Sequence, residues 1–538
     1  MRLDLNRRGF LAAGAAGLLL PVRPALAGLW ADSGFTHGVA SGDPGPDSIK
    51  LWTRYAAPGG GAATLKVEVA ADTGFRRIIA RSEAVAGPDT WGTAQARVSG
   101  LPPKSWVYYR FTAPDGSKSP VGRTRALPSG RLSQFKIAVF SCSNKPFGWF
   151  NAYAHAAPRD DIDLVVHLGD YLYEYARGSY PSAAETMAGR EIEGAGEMLD
   201  LDSYRQRYAS YRVDPALQEL HRRFPMVAIW DDHEFANDSW RGGAENHGAD
   251  EGDWFKRKAI ARQVHGEWLP GPDRIWQRYD IGDLVSLITL DTRIEGREQQ
   301  LDLSAALKDG KPGLQRFKDG EWSAPGRTLL GTEQEAWVAD TLKASVKSGQ
   351  KWQLLAQQIV MGTVMTPRDA AGWLGPNPSA RAKAAVGGGI MASAAGVPGN
   401  MDSWGGYPAA RARLLKAAQA ADADMVVISG DSHNAWAFNL AEGGKPAGVE
   451  FAGQSVTSPG YESARFADPA VIRAAVIANS PEMTWCDTSR RGYLTVDFTP
   501  GEARSDWVFM TTIKTATTAT GKGQAARVKR GKRVMELV

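Results

Sequence analysis

The residues of this 538-residue chain that could bind metal ions fall into four short motifs, each placed directly after an apolar run. The motifs contain Cys142; Asp170 with Tyr173; Asp231-Asp232-His233-Glu234; and Asp431 with His433. Thiolate, phenolate, carboxylate and imidazole groups are the usual protein ligands of metal ions. If the four motifs meet in space, they form a polynuclear metal site.

Cys142 and Tyr173 restrict which metal such a site would take. A phenol ordinarily loses its proton near pH 10, so Tyr binds only a strongly Lewis-acidic ion. Together with a thiolate, it favours Fe(III) over Mg or Ca. Asp170 could bridge two metals with its two oxygens. Two alternatives stay open from the residues alone: a turn Asp beside a packed aromatic, and a disulfide between Cys142 and Cys486, the two cysteines of the chain.

The motif at 231–234 places three carboxylates and an imidazole in four consecutive residues. Adjacent like charges repel unless a cation or strong hydrogen bonds neutralise them. The motif therefore indicates a metal or phosphate site rather than a solvated turn, and Asn237 and Asp238 offer further oxygen ligands nearby. Asp431 and His433 are two residues apart, which places them on one side of an extended segment.

Six apolar, β-branched runs must position these residues. They span residues 135–142, 163–170, 226–231, 284–291, 352–358 and 425–431, and their composition is typical of buried strands. Ligands of α/β proteins bind at the carboxyl ends of strands, and a polar residue stands at each end here. Helical spacing at 201–212, 253–267, 332–348 and 409–421 alternates with the runs. The pattern predicts an α/β catalytic domain over residues 131–512.

Residues 28–130 differ from this domain. Short β-forming runs at 48–54, 64–70, 94–98 and 106–112 are separated by Gly, Pro and Asp turns, which predicts a small all-β sandwich before the catalytic domain. Two polar, Gly-rich stretches, 178–200 and 367–407, interrupt the catalytic domain. Such segments are lids, recognition loops or disordered insertions, and the sequence does not separate these three.

The net positive charge of the chain comes from its two ends. Asn6-Arg7-Arg8-Gly9 with a short apolar run and Ala25-Leu26-Ala27 predicts a twin-arginine signal peptide over residues 1–27, hence the twin-arginine translocation machinery as partner and a periplasmic or secreted location. The apolar run is too short for a transmembrane segment, and none is predicted. Residues 513–538 hold seven Lys or Arg and one Glu and are expected to be a solvated, disordered basic tail. The remaining body is acidic, which argues against specific nucleic-acid binding.

The ordered set of motifs resembles one family. Ser-Cys-Ser at 141–143, Gly-Asp-Tyr-x-Tyr-Glu at 169–174, Trp-Asp-Asp-His-Glu at 230–234 and Gly-Asp-Ser-His at 430–433 are similar to the PhoD-type alkaline phosphatases, within the metallophosphoesterases. The stretch from His37 to Arg54 resembles the N-terminal β-domain of that family. The resemblance implies a metallophosphoesterase-like sheet core flanked by helices.

The resemblance also implies cofactors and roles. By comparison with purple acid phosphatases, in which an Asp takes the place of Cys142, iron as Fe(3+) would be held by Cys142, Asp170, Tyr173 and His433. Asp170 would bridge to Ca(2+), with Asp232 and Asp431 as further calcium ligands. Asp231, Asn237 and Gln358 are additional candidates. His233 would be the catalytic residue that binds phosphate and acts as general acid.

The motifs and the resemblance together predict an exported metal-dependent phosphoric ester hydrolase, either an alkaline phosphatase or a phosphodiesterase. In such an enzyme a metal-bound hydroxide attacks phosphorus. The alternative within the class is a phospholipase D-like phosphodiesterase acting on lipid or teichoic-acid-type substrates. A calcium-dependent surface-binding protein would leave Cys142, Tyr173 and His433 without a role. A serine hydrolase is disfavoured because the chain has no Gly-x-Ser-x-Gly elbow.

Overall fold

A computed structural model describes residues 34–464 and 466–538, except for the side chain of Arg381. The predicted signal segment, residues 1–27, lies outside the described residues. Within them, no helix is long and apolar enough to cross a membrane.

The described chain contains twenty-one strands. In chain order they are β1 Gly34–Gly42, β2 Ile49–Ala56, β3 Ala63–Ala70, β4 Ile78–Ala86, β5 Thr93–Val98, β6 Val107–Thr112, β7 Gly122–Thr124, β8 Phe135–Phe140, β9 Leu164–His167, β10 Pro225–Ala228, β11 Arg278–Ile281, β12 Val285–Thr289, β13 Trp352–Ala356, β14 Met425–Ser429, β15 Ala435–Glu442, β16 Lys445–Ala452, β17 Met483–Asp487, β18 Gly492–Phe498, β19 Glu502–Phe509, β20 Gln524–Lys529 and β21 Met535–Leu537. All six runs predicted as buried strands form strands, namely β8, β9, β10, β12, β13 and β14.

Helices connect these strands. They are α1 Asn151–Ala156, α2 Leu201–Arg212, α3 Pro215–Arg223, α4 Trp254–Trp268, α5 Ser304–Lys308, α6 Gly310–Phe317, α7 Gly331–Lys347, α8 Ala380–Ala394, α9 Pro408–Ala420 and α10 Pro469–Asn479. The four helices predicted from apolar spacing are α2, α4, α7 and α9, each within one residue of the expected bounds. Asp200 begins α2 because its carboxylate accepts a hydrogen bond from the backbone N–H of Ser203, which is a capping box.

Two large sheets form the centre of the molecule. A ten-stranded sheet runs in the order β21-β20-β19-β18-β8-β9-β10-β1-β2-β5, and a seven-stranded sheet runs β11-β12-β13-β14-β16-β15-β17. Strands β8, β9 and β10 are parallel neighbours in the first sheet, and β12, β13 and β14 are parallel neighbours in the second. The six candidate strand ends therefore come from two sheets, three from each.

The side chains of the second sheet alternate between two cores. Leu354 of β13 and Val426 of β14 belong to the core shared with the ten-stranded sheet. Their neighbours Leu355 and Val427 belong to a second core that packs against the helical side. Because successive residues of a strand point to opposite faces, near-continuous apolar runs are what a sheet covered on both sides requires. The two large sheets thus face each other across a shared core, with helices outside.

The N-terminal strands do not form a sheet system separate from the catalytic part. Strands β3, β4, β6 and β7 make a four-stranded sheet, but β1, β2 and β5 extend the ten-stranded sheet. The junction is the parallel pairing of β1 with β10, where Gly42 lies opposite Met226. A Cβ on Gly42 would collide with the backbone oxygens of Met226 and Pro270, so glycine permits this close approach.

The prediction of a disordered tail is wrong. Residues 513–538 contain β20 and β21, which pair antiparallel with β19 and with each other at the edge of the large sheet. Ala526, Val528 and Met535 are buried in the shared core, so every second residue of β20 faces inward. The basic side chains that dominate the composition lie between these apolar positions, and Arg533 forms an ion pair with Asp422. In β20 the apolar residues recur at every second position, a pattern that is typical of an edge strand and that the overall composition of the segment does not show.

Both predicted insertions are ordered in the structure. Residues 178–200 form an irregular loop fixed by the buried Arg190, which donates to Gly148 O over 2.9 Å and pairs with Asp214. Residues 367–407 contain α8 and the buried Trp404, whose Nε1 donates to Gln357 Oε1 over 3.1 Å. The disordered alternative is therefore wrong for the described part of both segments.

Candidate metal centre

The carboxyl ends of the two sets of strands meet at one place. A Cβ on Gly169, just after β9, would collide with the backbone nitrogen of Asp231, just after β10. Across the two sheets, a Cβ on Gly430, just after β14, would collide with the side chain of Ser141, just after β8. Only residues without a side chain allow the strand ends to approach so closely, and the polar motifs that follow the strands are thereby brought together.

Several residues of this centre have left-handed backbone conformations. The φ angles are 58° for Cys142, 51° for Asp170, 59° for Asp431 and 61° for His433. Such angles are uncommon for residues other than glycine and each costs of the order of 1 kcal/mol or more. The turns after β8, β9 and β14 therefore hold their side chains in place at an energetic cost, which is typical of a functional site.

One group of ligand atoms combines sulfur, nitrogen and oxygen. Single atoms of Cys142, Asp170 and His433 all lie within 4.8 Å of one another. The hydroxyl of Tyr173 lies 2.9 Å from Asp170 Oδ2 and 3.2 Å from His433 Nε2, and Ser458 Oγ donates to it over 2.6 Å. Nδ1 of His433 donates to Pro459 O over 2.8 Å, which directs Nε2 toward the group.

A second group contains only carboxylates. Single oxygens of Asp231, Asp232 and Asp431 lie within 4.8 Å of one another, and a third set of atoms, from Asp170, Asp232 and His233, connects the two groups. Burial, opposed by Arg293, raises the pKa of Asp431 to about 8. Burial also raises the pKa of Asp231 well above its ordinary value. These carboxyls would therefore hold protons near neutral pH unless further positive charge were supplied.

A buried guanidinium partly supplies that charge. Arg293 is fully buried, donates Nη2 to Asp431 Oδ1 over 2.6 Å and Nη1 to Asp402 Oδ2 over 2.6 Å, and pairs with Asp231 through Nε. Its Nη2 also lies 3.5 Å from Asp232 Oδ1. Arg293 thus faces four carboxylates, of which only Asp402 has a second guanidinium partner, Arg297, and this leaves a negative excess at Asp231, Asp232 and Asp431.

The donor set fits metal ions. Asp170 Oδ1, Asp231 Oδ2 and Asp232 Oδ1 are buried and accept no hydrogen bond from the described residues. Burial and the charge of Asp170 raise the pKa of the Cys142 thiol well above its ordinary value, so the thiolate form needs a nearby cation. Unpaired buried carboxylate oxygens beside a thiol and a phenol are costly without such a cation and favourable with one.

His233 lies at the boundary of the two groups and is held by Glu174. Its Nδ1 donates to Glu174 Oε2 over 2.7 Å, so that Nε2 faces the centre. Burial lowers the pKa of His233, but the carboxylates of Glu174, Asp170 and Asp232 outweigh it and place the pKa well above the ordinary value. Glu174 is fixed in turn by the backbone N–H of Asn237 over 2.8 Å. The arrangement stabilises a protonated imidazole that can donate from Nε2.

Glu234 acts as scaffold rather than as a ligand. Its two oxygens accept hydrogen bonds from the backbone N–H groups of Asp170, Tyr171 and Asp231 at 3.0, 2.6 and 2.6 Å. These bonds fix the loop after β9 against the loop after β10. Three donors on one buried carboxylate explain why the fourth residue of the 231–234 motif lies away from the metal-ligand groups.

Two of the six strand ends also supply scaffold. Asp291 Oδ1 accepts from the N–H groups of Arg293 and Ile294 over 2.8 and 3.0 Å. Gln358 accepts from Thr292 through Oε1, and its Nε2 donates to the carbonyls of Trp230 and Leu290 over 2.7 and 3.0 Å. Both amide atoms of Gln358 are therefore occupied, and the expectation that it is a metal ligand is wrong.

Asn237 and Cys486 differ from the other candidates in their contacts. Nδ2 of Asn237 donates to Glu245 Oε2 over 3.1 Å, and its backbone N–H donates to Glu174 Oε1 over 2.8 Å. Asp238, its neighbour, does approach: its backbone N–H donates to Asp232 Oδ2 over 2.6 Å. Cys142 and Cys486 are both free and buried, so the structure contains no disulfide between them.

The sequence analysis missed three contributors. Arg293 follows β12 by four residues and could have been found by searching strand ends for cations as well as for ligands. Asp402 lies in the 367–407 insertion, and no local signal marks it. Ser458 follows β16 in an unremarkable Thr-Ser-Pro segment, yet its Oγ contacts both Tyr173 and the carbonyl of Cys142, the latter over 3.0 Å.

Comparisons with known proteins agree with this geometry. The profile of the PhoD-like phosphatase family matches residues 137–507, and the profile of its N-terminal domain matches residues 23–128. The protein named alkaline phosphatase D of Bacillus subtilis (strain 168) is 34% identical over 500 residues, covering 88% of this chain and 77% of that protein.

Two solved structures are similar to the chain. The structure of PhoD superposes with a TM-score of 0.76 at 29% identity, covering 94% of this chain and 92% of that one. The purple acid phosphatase PPD1 from yellow lupin (Lupinus luteus) seeds superposes with a TM-score of 0.56 at 13% identity, covering 93% and 75%. The second likeness shows the fold alone. The chain therefore belongs to the PhoD-like phosphatase family and is a phosphoric ester hydrolase of the alkaline phosphatase D type.

Proposed function

We propose that this chain hydrolyses phosphate mono- and diesters at the centre formed by the four motifs, with iron and calcium as its metal ions. The observation that carries the proposal is that Asp170 belongs to two groups of ligand atoms. The first contains a thiol, an imidazole and a phenol. The second contains Asp232 and, through it, is continuous with the group of three carboxylates. One ligand set suits a strongly Lewis-acidic ion and the other a hard divalent ion, and a common carboxylate would bridge them.

Cys142, Asp170, Tyr173 and His433 would hold Fe(III), and Asp170, Asp232 and Asp431 would hold calcium. Asp231 presents Oδ2 as a further oxygen, and Asn237, whose Nδ2 donates to Glu245, would offer its Oδ1. Bound there, the ions would neutralise charge on the phosphoryl oxygens and activate the attacking water.

His233 would protonate the leaving oxygen. Its Nε2 faces the centre because Nδ1 is held by Glu174, and the surrounding carboxylates keep the imidazole protonated. We expect His233→Ala to slow turnover by roughly 10²–10⁴-fold on esters with poor leaving groups while iron and calcium contents stay unchanged. The loss should be smaller for p-nitrophenyl esters, whose leaving group needs no proton. Equal losses on both kinds of ester would contradict the general-acid role.

Metal analysis is the most direct test of the cofactors. Protein purified without chelator should contain iron and calcium and should hydrolyse both p-nitrophenyl phosphate and bis-p-nitrophenyl phosphate. Because hard oxygen ligands release calcium more readily than a mixed thiolate and phenolate set releases ferric iron, EGTA should abolish activity and added Ca²⁺ alone should restore it. Activity that survives exhaustive EGTA treatment would show that calcium is not required.

Visible absorption tests the iron assignment independently of activity. Thiolate and phenolate bound to Fe(III) should give charge-transfer absorption, so the purified protein should be coloured. Tyr173→Phe should shift or bleach the band, and Cys142→Ser should change its energy and weaken iron retention. The matched controls are Tyr171→Phe, whose hydroxyl lies 2.9 Å from His221 Nε2, and Cys486→Ser; both should leave the spectrum unchanged. Colourless, active, iron-free protein would refute the assignment.

The proposal includes export by the twin-arginine route to the periplasm or the medium. It is supported by the Asn6-Arg7-Arg8-Gly9 start and the Ala25-Leu26-Ala27 site. Replacing Arg7 and Arg8 together with lysines should retain the full-length precursor inside the cell, detected by immunoblot of fractions. A processed, exported product from that variant would contradict this route.

A further inference from the structure

Glu174, the residue that holds His233, uses its two carboxylate oxygens for different contacts. Oε2 accepts a hydrogen bond from His233 Nδ1 over 2.7 Å. Oε1 accepts from the backbone N–H of Asn237 and from Nδ2 of Asn246, each over 2.8 Å. The side chain of Glu174 is completely buried. Because two donors hold Oε1, the carboxylate has one orientation, in which Oε2 is directed to His233.

The amide group of Asn246 is placed between two carboxylates. Its Nδ2 donates to Glu174 Oε1 over 2.8 Å and to Glu197 Oε1 over 3.2 Å, so both hydrogens of the amide nitrogen have an acceptor. An ionised carboxylate accepts hydrogen bonds but donates none. The opposite orientation of the amide would place its oxygen against two acceptors, and the two neighbours therefore select the orientation in which the nitrogen faces Glu174.

A buried arginine of α4 holds the partners of this amide. Arg257 Nη2 donates to Glu197 Oε1 over 2.9 Å, and the Arg257 side chain is only 1% exposed. Its Nη1 donates to the carbonyl of Asn246 over 3.2 Å. Its Nε donates to the hydroxyl of Tyr204 in α2 over 3.1 Å, which fixes the guanidinium itself. Arg257 therefore positions both the backbone of Asn246 and the second carboxylate that its side chain contacts.

The backbone around Asn246 is fixed as well. The carbonyl of Asn237 accepts from the N–H groups of Glu245 and Asn246 over 3.0 and 3.3 Å, which closes the loop between these residues. On the other side, the N–H of Met198 donates to the carbonyl of Glu174 over 3.0 Å. Three segments of the chain thus meet at Glu174, and the amide of Asn246 is held in place from both its backbone and its side chain, as a preorganised site requires.

We propose that Asn246 is a positioning residue for ester hydrolysis: it orients the carboxylate of Glu174, which in turn directs Nε2 of His233 to the leaving oxygen. Hydrogen bonds connect α4 with the centre through one chain of residues, namely Arg257, Glu197, Asn246, Glu174 and His233. A general acid acts only within hydrogen-bond reach of the atom that it protonates, so a small displacement of the imidazole slows the reaction. The proposal rests on the general-acid role of His233 and names a residue outside the four motifs on which that role depends.

Phenyl phosphate and p-nitrophenyl phosphate test the proposal, because they differ only in the nitro group that removes the need for a proton on the leaving oxygen. Asn246→Leu, which keeps the size of the side chain but removes its donors, should lower kcat/KM roughly 10–100-fold on phenyl phosphate. The loss on p-nitrophenyl phosphate should stay below about 3-fold. Iron and calcium contents should be unchanged. Asn246→Ala, which introduces no larger group, should show the same selectivity, so that the result does not depend on how the leucine packs.

A double-mutant cycle separates positioning from a general effect on the fold. In protein that already carries His233→Ala, Asn246→Leu should lower kcat/KM on phenyl phosphate by less than about 2-fold more, because the imidazole that it positions is gone. Asn151→Ala is the matched control: Asn151 is buried, and its Nδ2 donates to the carbonyls of Thr512 and Thr515 over 2.7 and 2.9 Å. Any loss from that variant should be equal on the two esters and independent of His233→Ala.

Equal losses on the two esters, or a loss from Asn246→Leu that is as large with His233→Ala as without it, would overturn the proposal and make Asn246 a structural residue. A loss explained by a lower iron or calcium content would also overturn it. If His233→Ala itself slows phenyl phosphate selectively while the effects of Asn246→Leu are uniform, this inference alone is refuted. If His233→Ala slows both esters equally, the general-acid role is refuted, and the inference that rests on it falls as well.

Discussion

Replacing Arg293 with methionine should destabilise the metal-free protein more than any other single substitution at the centre. The guanidinium is fully buried and contacts Asp431 and Asp402 at 2.6 Å, together with Asp231. At an effective dielectric constant of about 20, one such contact is worth roughly 6 kcal/mol before desolvation is counted. Because removing one partner leaves buried charge uncompensated, we expect a net loss of about 3–5 kcal/mol in the free energy of unfolding at pH 8.

The loss should depend on pH in a defined direction. The folded-state pKa of Asp431, about 8, already lies above its unfolded value, and removing Arg293 raises it further. A carboxyl with a raised folded pKa contributes its full stability below the unfolded pKa, near pH 4, and this contribution is lost as the pH rises through the folded pKa. The penalty of Arg293→Met should therefore be nearly constant below about pH 7, where Asp431 holds its proton in both proteins, and clearly larger at about pH 9.5, where only the wild-type carboxyl has ionised.

Urea unfolding followed by tryptophan fluorescence, in EGTA at both pH values, measures these losses. Calcium should stabilise the variant more than the wild type, because Asp231 and Asp431 no longer share their charge with a guanidinium. Arg413→Met is the matched control: Arg413 pairs with Glu335 at 2.7 Å with its side chain 39% exposed, so its loss should stay below about 1 kcal/mol. A loss from Arg293→Met no greater than the control, or equal at about pH 7 and about pH 9.5, would refute this electrostatic account.

Three further perturbations have defined outcomes. Glu174→Gln removes the nearest charge that raises the pKa of His233, so the alkaline limb of the pH–rate profile should move to lower pH; an unchanged profile would contradict the pairing. Burial and Arg190 lower the pKa of Lys145 to about 8. The unfolded chain therefore binds more protons between about pH 8 and 10.5, and wild-type stability should rise by up to about 3 kcal/mol across that range, whereas Lys145→Met should show a flat curve in urea unfolding. Truncation after residue 522 removes β20 and β21 and should cost about 3–6 kcal/mol of stability through exposure of the apolar edge, measured by the same method; unchanged stability would mean that the tail does not pack.

The sequence predicted the elements of the centre better than their assembly. Cys142, Asp170, Asp232 and His433 were found because each follows a β-branched run, and strand ends are local features of the sequence. That the runs divide between two facing sheets was not visible, because β-branched composition marks a strand but not its partners. The pairing of β1 with β10 joins residues 184 positions apart, Gly42 and Met226 for example, and no local pattern encodes it.

The misplaced predictions have physical causes. Gln358 stands at a strand end like a ligand, but its amide satisfies four backbone and side-chain groups of the neighbouring loops, a role that only the tertiary structure reveals. The basic tail was expected to be disordered because charge dominates its composition. A strand at the edge of a sheet needs only every second residue to be apolar, and three such residues suffice here. Asp402 reaches the centre from an insertion through two arginines, which no spacing rule predicts.

The position of β8 has a consequence for how the protein is made. The strand that ends at Cys142 lies between β9 and β18 in the large sheet. The first neighbour emerges from the ribosome soon after β8, but the second begins only at Gly492, close to the end of the chain. Until synthesis is almost finished, one edge of β8 has no hydrogen-bond partner. We therefore expect nascent or prematurely terminated chains to hold Cys142 on a strand that is paired on one side only.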